Sequence, residues 1–92
     1  MVVLGEGISA YKAGNYEAAA REFTKSAHQG DDDAQMTLGF MYANGEGVAL
    51  DDSEAAKWFA AAAAQGNVLA QVSLGSIYAD GKGVAQDHDL AK

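Results

Sequence analysis

The chain has 92 residues, of which 49% are apolar, carries a net charge of −7, and contains neither proline nor cysteine. That length allows one small domain at most, and the composition excludes both a disordered tail and a disulfide-stapled scaffold. The acidic balance argues against nucleic acid, whose phosphates need clustered Lys and Arg, and the longest apolar run, Trp58 to Ala64, is too short to cross a bilayer.

Helical periodicity runs along nearly the whole chain and is interrupted by glycine. A first helix is predicted from Gly7 to Ala13, closed by Gly14-Asn15, and a second from Tyr16 to about His28, stopped at Gly30. Asp31 to Asp33 then open a helix carrying Leu38, Gly39 and Tyr42, which ends at Asn44-Gly45. A loop through Gly47 to Leu50 leads to Asp51, expected to cap the next helix with Glu54 reaching back as a capping box. That alanine-rich helix, Ser53 to Gln65, closes at Gly66, and Asn67 starts a fifth with Leu74, Gly75 and Tyr78. Met1-Val2-Val3-Leu4 is cut off by Gly5-Glu6 before a signal-peptide core forms, which gives the expectation of a soluble chain with no membrane partner.

The acids are not scattered. Asp31, Asp32, Asp33, Asp51, Asp52, Glu54, Asp87 and Asp89 all fall at predicted helix starts, where carboxylates cap free N–H groups and oppose the positive end of the helix dipole. Most of the acidity is read as punctuation of this kind, with a dedicated acidic binding face as the alternative.

The segment Ala34 to Ala56 recurs 36 residues later as Ala70 to Lys92, with 12 identities in 23 aligned positions. A repeat of that period predicts an all-α chain, an α-solenoid of stacked antiparallel helix hairpins in which each unit buries its apolar face on its neighbours. Gly39 and Gly75 sit mid-helix at a cost of about 1 kcal/mol each relative to alanine, which makes sense where another helix comes close. Alanines at 55, 56, 60, 62 and 63 make the same argument, with Trp58 and Phe59 supplying apolar area. The expected core residues are Leu38, Tyr42, Phe59, Leu74 and Tyr78.

The pattern Ala34, Leu38, Gly39, Tyr42, Gly45, Gly47, Val48, Asp51, Ala55, Trp58, Ala62, Ala63 and Gly66 resembles the Sel-one-like repeat, or SLR, a branch of the tetratricopeptide repeat (TPR) superfamily with units of about 36 residues. It returns from Ala70 through Ala91. Gly7 to Ala19 looks instead like an ordinary TPR hairpin with a tight turn. The resemblance implies a right-handed superhelix organised as a TPR-like N-terminal hairpin over 1–30, a complete repeat over 31–66 and a truncated one over 67–92. It also implies an adaptor or scaffold that binds a protein or peptide, with no catalytic residue to transfer.

Other chemistry finds little footing. Asn44-Gly45-Glu46-Gly47 and Asp80-Gly81-Lys82-Gly83 look superficially like phosphate-cradling loops, but they follow a helix and lack a terminal Lys-Ser/Thr, so they are read as turns. Asp31, Asp33 and Gln35 have the alternation of a calcium loop, but Met36 stands where its glycine belongs and Tyr42 where its glutamate belongs. His28 and His88 have no Cys or second His at ligand spacing. The serines have no nearby histidine. No metal, cofactor or enzymatic activity is expected.

Two surfaces remain. In TPR-like stacks the first helix of each hairpin lines the concave face, and alignment puts Leu4, Ile8, Tyr11 and Lys12, then Met36, Phe40 and Asn44, then Val72, Ser76 and Asp80 on it. Ile8, Tyr11, Met36 and Phe40 are the expected anchors, with the alternative that Met36 and Phe40 pack against adjacent first helices. The other surface is the end of the stack, where Leu74, Ile77 and Tyr78 are expected to lack cover, giving a homo-oligomer as the alternative function.

Overall fold

The computed structural model describes residues 3–80. Among them are five helices and no strand: α1 (Val3–Lys12), α2 (Tyr16–His28), α3 (Asp32–Asn44), α4 (Asp52–Ala64) and α5 (Val68–Asp80). The contacts run between consecutive helices, α1 on α2, α2 on α3, α3 on α4 and α4 on α5. This is the stacked arrangement that the 36-residue repeat demands.

Local chemistry fixes the helix starts. Asn15, Asp31, Asp51 and Asn67 each accept a hydrogen bond from a backbone N–H three residues on, at 3.3, 3.0, 3.1 and 2.9 Å. Each cap satisfies one donor that the helix itself leaves open. Asp32, Asp33, Asp52 and Glu54 occupy first turns, where the helix dipole favours them. Asp87, Asp89 and His88 lie outside the described residues.

The second half of the expected capping box takes another form. The Glu54 carboxylate pairs with Lys57 at 2.8 Å, and the Asp51 N–H donates to the Tyr42 carbonyl at 2.9 Å. That last bond draws the loop after α3 closed across the end of the helix. Gly45 ends α3 in the left-handed region at φ 69°. Gly47, at φ 74°, lies so close to the start of α2 that a Cβ would overlap the Tyr16 carbonyl. Only glycine fits both the backbone conformation and the space.

α1 begins earlier than its glycines suggest. Gly7 is helical and buried, and a Cβ there would come within 3.3 Å of the Phe23 ring. The same arrangement recurs one unit later, more tightly, with Gly39 against Phe59 at 2.8 Å. The glycines are therefore seats for aromatic rings of the second helix of each hairpin. At Gly75 a Cβ would meet nothing within 4 Å among the described residues. The close approach expected there is absent because no described helix covers that side of α5.

The core divides into two clusters along the stack. The first joins Ala19, Ala20, Phe23 and Ala27 of α2 to Ala34, Leu38 and Met41 of α3; the second joins Ala55, Ala56, Phe59 and Ala62 of α4 to Ala70 and Ile77 of α5. Tyr42 packs on both, and α4 sends Trp58 back to the first while Phe59 fills the second. Leu38 and Phe59 are buried as expected, whereas Tyr42, Leu74 and Tyr78 are only half-buried. Phe23 and Met41 carry core positions that were not expected.

Candidate functional site

The first helices α1, α3 and α5 supply the residues expected to meet a partner, and their surroundings differ sharply. Ile8 is 42% exposed, Val72 is 64% exposed, and Lys12, Asn44 and Ser76 are also exposed. Tyr11, Met36 and Phe40 are half-buried. The side chains of Leu4 and Asp80 lie outside those described.

Each of the three half-buried residues has an identifiable cause. Met36 and Phe40 pack against the second core cluster, and the Phe40 ring meets Phe59 edge-on with centroids 4.9 Å apart. A tilted or edge-to-face pair at this distance is favourable beyond the area it buries. Met36 and Phe40 are thus partly committed to α4 and α5, and each offers only the remaining part of its surface. Tyr11 leans on Tyr16 at 4.9 Å and donates its hydroxyl to Glu46 Oε1 at 2.8 Å. That hydrogen bond, followed by burial, raises the Tyr11 pKa above 10.0. Tyr11 thus clips the first hairpin to the loop of the second.

A line of side-chain amides ties one hairpin to the next. Gln35 donates to the Ala27 carbonyl at 3.1 Å, and Gln65 donates to both the Gly30 carbonyl and Gln35 Oε1 at 2.9 Å. Asn67 donates to Asp32 at 3.0 Å. Gln71, the counterpart of Gln35, repeats its bond by donating to the Ala63 carbonyl at 3.2 Å.

At the end of the stack the structure revises the expected contact set. Ile77 is 8% exposed and packed in the second cluster, and Leu74 is half-buried against it, because the side of α5 carrying them faces α4. The uncovered apolar side chains are instead Val68, Leu69 and Val72, at 69%, 52% and 64% exposure. The sequence carries a signal for the first two, since they replace Asp32 and Asp33 of the preceding unit.

Asp31, Asp32 and Asp33 bring their carboxylates within 4.8 Å of one another. Asp31 is occupied as a helix cap and Asp32 accepts from Asn67, so the cluster serves the joint between α2, α3 and α5. His28 is exposed and stands edge-on to Trp58 at 5.2 Å. Among the described residues no helix is long and apolar enough to cross a membrane.

The Sel1 repeat family model matches residues 32–67 and 68–92. The chain belongs to the Sel1 repeat family. Sel1 repeats are protein–protein interaction modules and generally serve as noncatalytic scaffolds. Two solved structures share the fold at 36% identity: a protective antigen of uropathogenic Escherichia coli displaying an SLR fold, with a TM-score of 0.83 over 97% of this chain, and a Sel1 repeat protein from Oxalobacter formigenes, with 0.79 over 89%. HcpE of Helicobacter pylori, whose name carries a provisional beta-lactamase label, is 44% identical over 48 residues. The chain spans 21% and 32% of the two solved chains and 14% of HcpE. The Sel1 match begins at α3, leaving α1 and α2 as the hairpin that departs from the repeat pattern.

Proposed function

We propose that this Sel1 repeat chain is a noncatalytic adaptor that holds an extended segment or helix of a partner protein on the face of its first helices. The observation that carries this reading is the exposure of Ile8 and Val72 on α1 and α5, on either side of the half-buried Met36 and Phe40 of α3. Apolar side chains left partly in water on a module of an interaction family are natural contact points, each gaining about 1 kcal/mol when the part still exposed is buried. Lys12, Asn44 and Ser76 supply polar contacts on the same helices, and Tyr11 adds the part of its ring that Tyr16 and Glu46 leave free.

Capture from a lysate of the source cell, with the wild type beside Ile8→Asp and Val72→Asp, tests the reading. The partner is retained by the wild type and lost from both variants, while the melting temperature holds. Equal retention by all three chains contradicts it.

Self-association through Leu74, Ile77 and Tyr78 has weaker support, because α4 already covers Ile77 and part of Leu74. The assembly reading is left with the exposed first half of α5. Light scattering over a wide concentration range distinguishes the two: the adaptor stays monomeric without its partner.

A further inference from the structure

The chain has three asparagines, at 15, 44 and 67, and the fold places them differently. Asn15 and Asn67 are helix caps whose Oδ1 accepts a backbone N–H, and each is followed by a residue with a bulky side chain, Tyr16 and Val68. Asn44 is the last residue of α3, is exposed, makes no side-chain hydrogen bond among the described residues, and is followed by Gly45. Beside glycine an asparagine is prone to lose its amide. The next backbone nitrogen can attack the side-chain carbonyl carbon, and no Cβ stands in its way.

The end of α3 holds that nitrogen back. The Gly45 N–H donates to the Met41 carbonyl, and the Glu46 N–H donates to the same oxygen at 2.9 Å. Attack requires Asn44 to leave its helical backbone conformation and Gly45 to give up this bond. Further contacts keep the segment closed: the Tyr11 hydroxyl donates to Glu46 Oε1 at 2.8 Å, Gly47 lies against the Tyr16 carbonyl, and the Asp51 N–H reaches the Tyr42 carbonyl at 2.9 Å. Of these the Tyr11 bond engages the residue nearest in sequence to the reacting pair, and it comes from another hairpin.

We propose that Asn44 is a self-modification site, a slow deamidation gated by the Tyr11–Glu46 hydrogen bond. In the opened segment the Gly45 nitrogen gives its proton to solvent hydroxide and bonds to Asn44 Cγ. The Cγ–Nδ2 bond breaks, and Nδ2 leaves as ammonia with a proton taken from water, which leaves a five-membered succinimide. Water then opens the ring, at the bond from nitrogen to Cγ to give aspartate or at the bond from nitrogen to the main-chain carbonyl carbon to give isoaspartate. The net exchange is one water in and one ammonia out.

Both products place a carboxylate at the negative end of α3. Aspartate otherwise gives α3 the ending that α5 already has, at the corresponding Asp80. Isoaspartate routes the backbone through the side-chain carbon and lengthens it, which takes the Gly45 N–H off Met41 and shifts Gly47 from its seat against α2. The site is a one-way release of the joint between the first two hairpins. It stands without the adaptor reading, although Asn44 lies on the face named there.

The full chain is incubated at mildly alkaline pH, below 10 so that Tyr11 stays protonated, and ammonia loss is followed by intact mass and peptide mapping. Modification is expected at Asn44 and not at Asn15 or Asn67. Because a closed helix end opens only part of the time, it is expected to run about tenfold faster or more in urea than in the folded chain. Tyr11→Phe and Glu46→Ala, shown to be folded by circular dichroism, each raise the folded-state rate severalfold, while Asn67→Ala, which weakens the start of α5 instead, leaves it unchanged. Asn44→Asp melts close to wild type, and the aged chain containing isoaspartate melts lower. Modification of the folded wild type as fast as in urea overturns the proposal. So does a rate that Tyr11→Phe and Glu46→Ala leave unchanged or that Asn67→Ala raises equally, and so does an aged chain that melts with the wild type.

Discussion

The Phe59 ring lies so close to Gly39 that a Cβ on that glycine would stand 2.8 Å from it, whereas the same substitution at Gly75 meets nothing within 4 Å among the described residues. One motif position therefore answers one substitution in opposite ways. Gly39→Ala gains about 1 kcal/mol in helix propensity but forces a buried ring out of its place at about 1–3 kcal/mol, for a net loss. Gly75→Ala keeps the gain and raises stability by up to about 1 kcal/mol. Urea unfolding of the two variants measures both signs.

Gly47 joins the loop after α3 to the start of α2. Its φ of 74° and the overlap a Cβ would make with the Tyr16 carbonyl both act against Gly47→Ala. Strain of these two kinds costs about 1–3 kcal/mol, and the melting temperature falls accordingly. Gly14, also at positive φ but with nothing within 4 Å, shows the smaller loss from conformation alone.

The Tyr11–Glu46 hydrogen bond makes stability depend on pH at the alkaline end. The fold raises the Tyr11 pKa above 10.0, so it favours the protonated phenol. The contribution is fully present below pH 10 and is lost as pH rises through the raised folded-state value. Tyr11→Phe removes about 1 kcal/mol at neutral pH. The difference between the urea midpoints of wild type and variant shrinks at high pH; a constant difference would argue against the clip.

Phe40 separates packing from recognition. Its ring meets Phe59 edge-on and is half-buried, so Phe40→Ala costs about 1–3 kcal/mol, less than the full loss for a core phenylalanine. Val72→Asp changes an exposed side chain and stays within about 0.5 kcal/mol of wild type. Thermal melts of the two variants show the contrast directly.

How much of this was legible in the sequence follows from where the information sits. Helix α2 is bounded at Tyr16 and His28 as Asn15 and Gly30 indicate, because caps are local signals. The repeat of Gly39 and Gly75 announces a helix-packing seam, though only structure shows that the Phe59 ring is what fills the space at Gly39. The core of α3 was harder to read. With α2 on one side and α4 and α5 on the other, α3 is apolar nearly all round, so periodicity did not separate Met41, which is fully buried, from Tyr42, which is half-buried. Tyr11 illustrates a different limit. Its partner Glu46 lies 35 residues away in the loop of the next hairpin, and no local pattern connects them.

The adaptor account rests on the first helices, and not the second, meeting the partner. Hydrogen–deuterium exchange of the chain alone and in complex with the captured partner reads that choice directly. Added protection confined to α1, α3 and α5 is the predicted result; added protection confined to α2 and α4 would contradict the account.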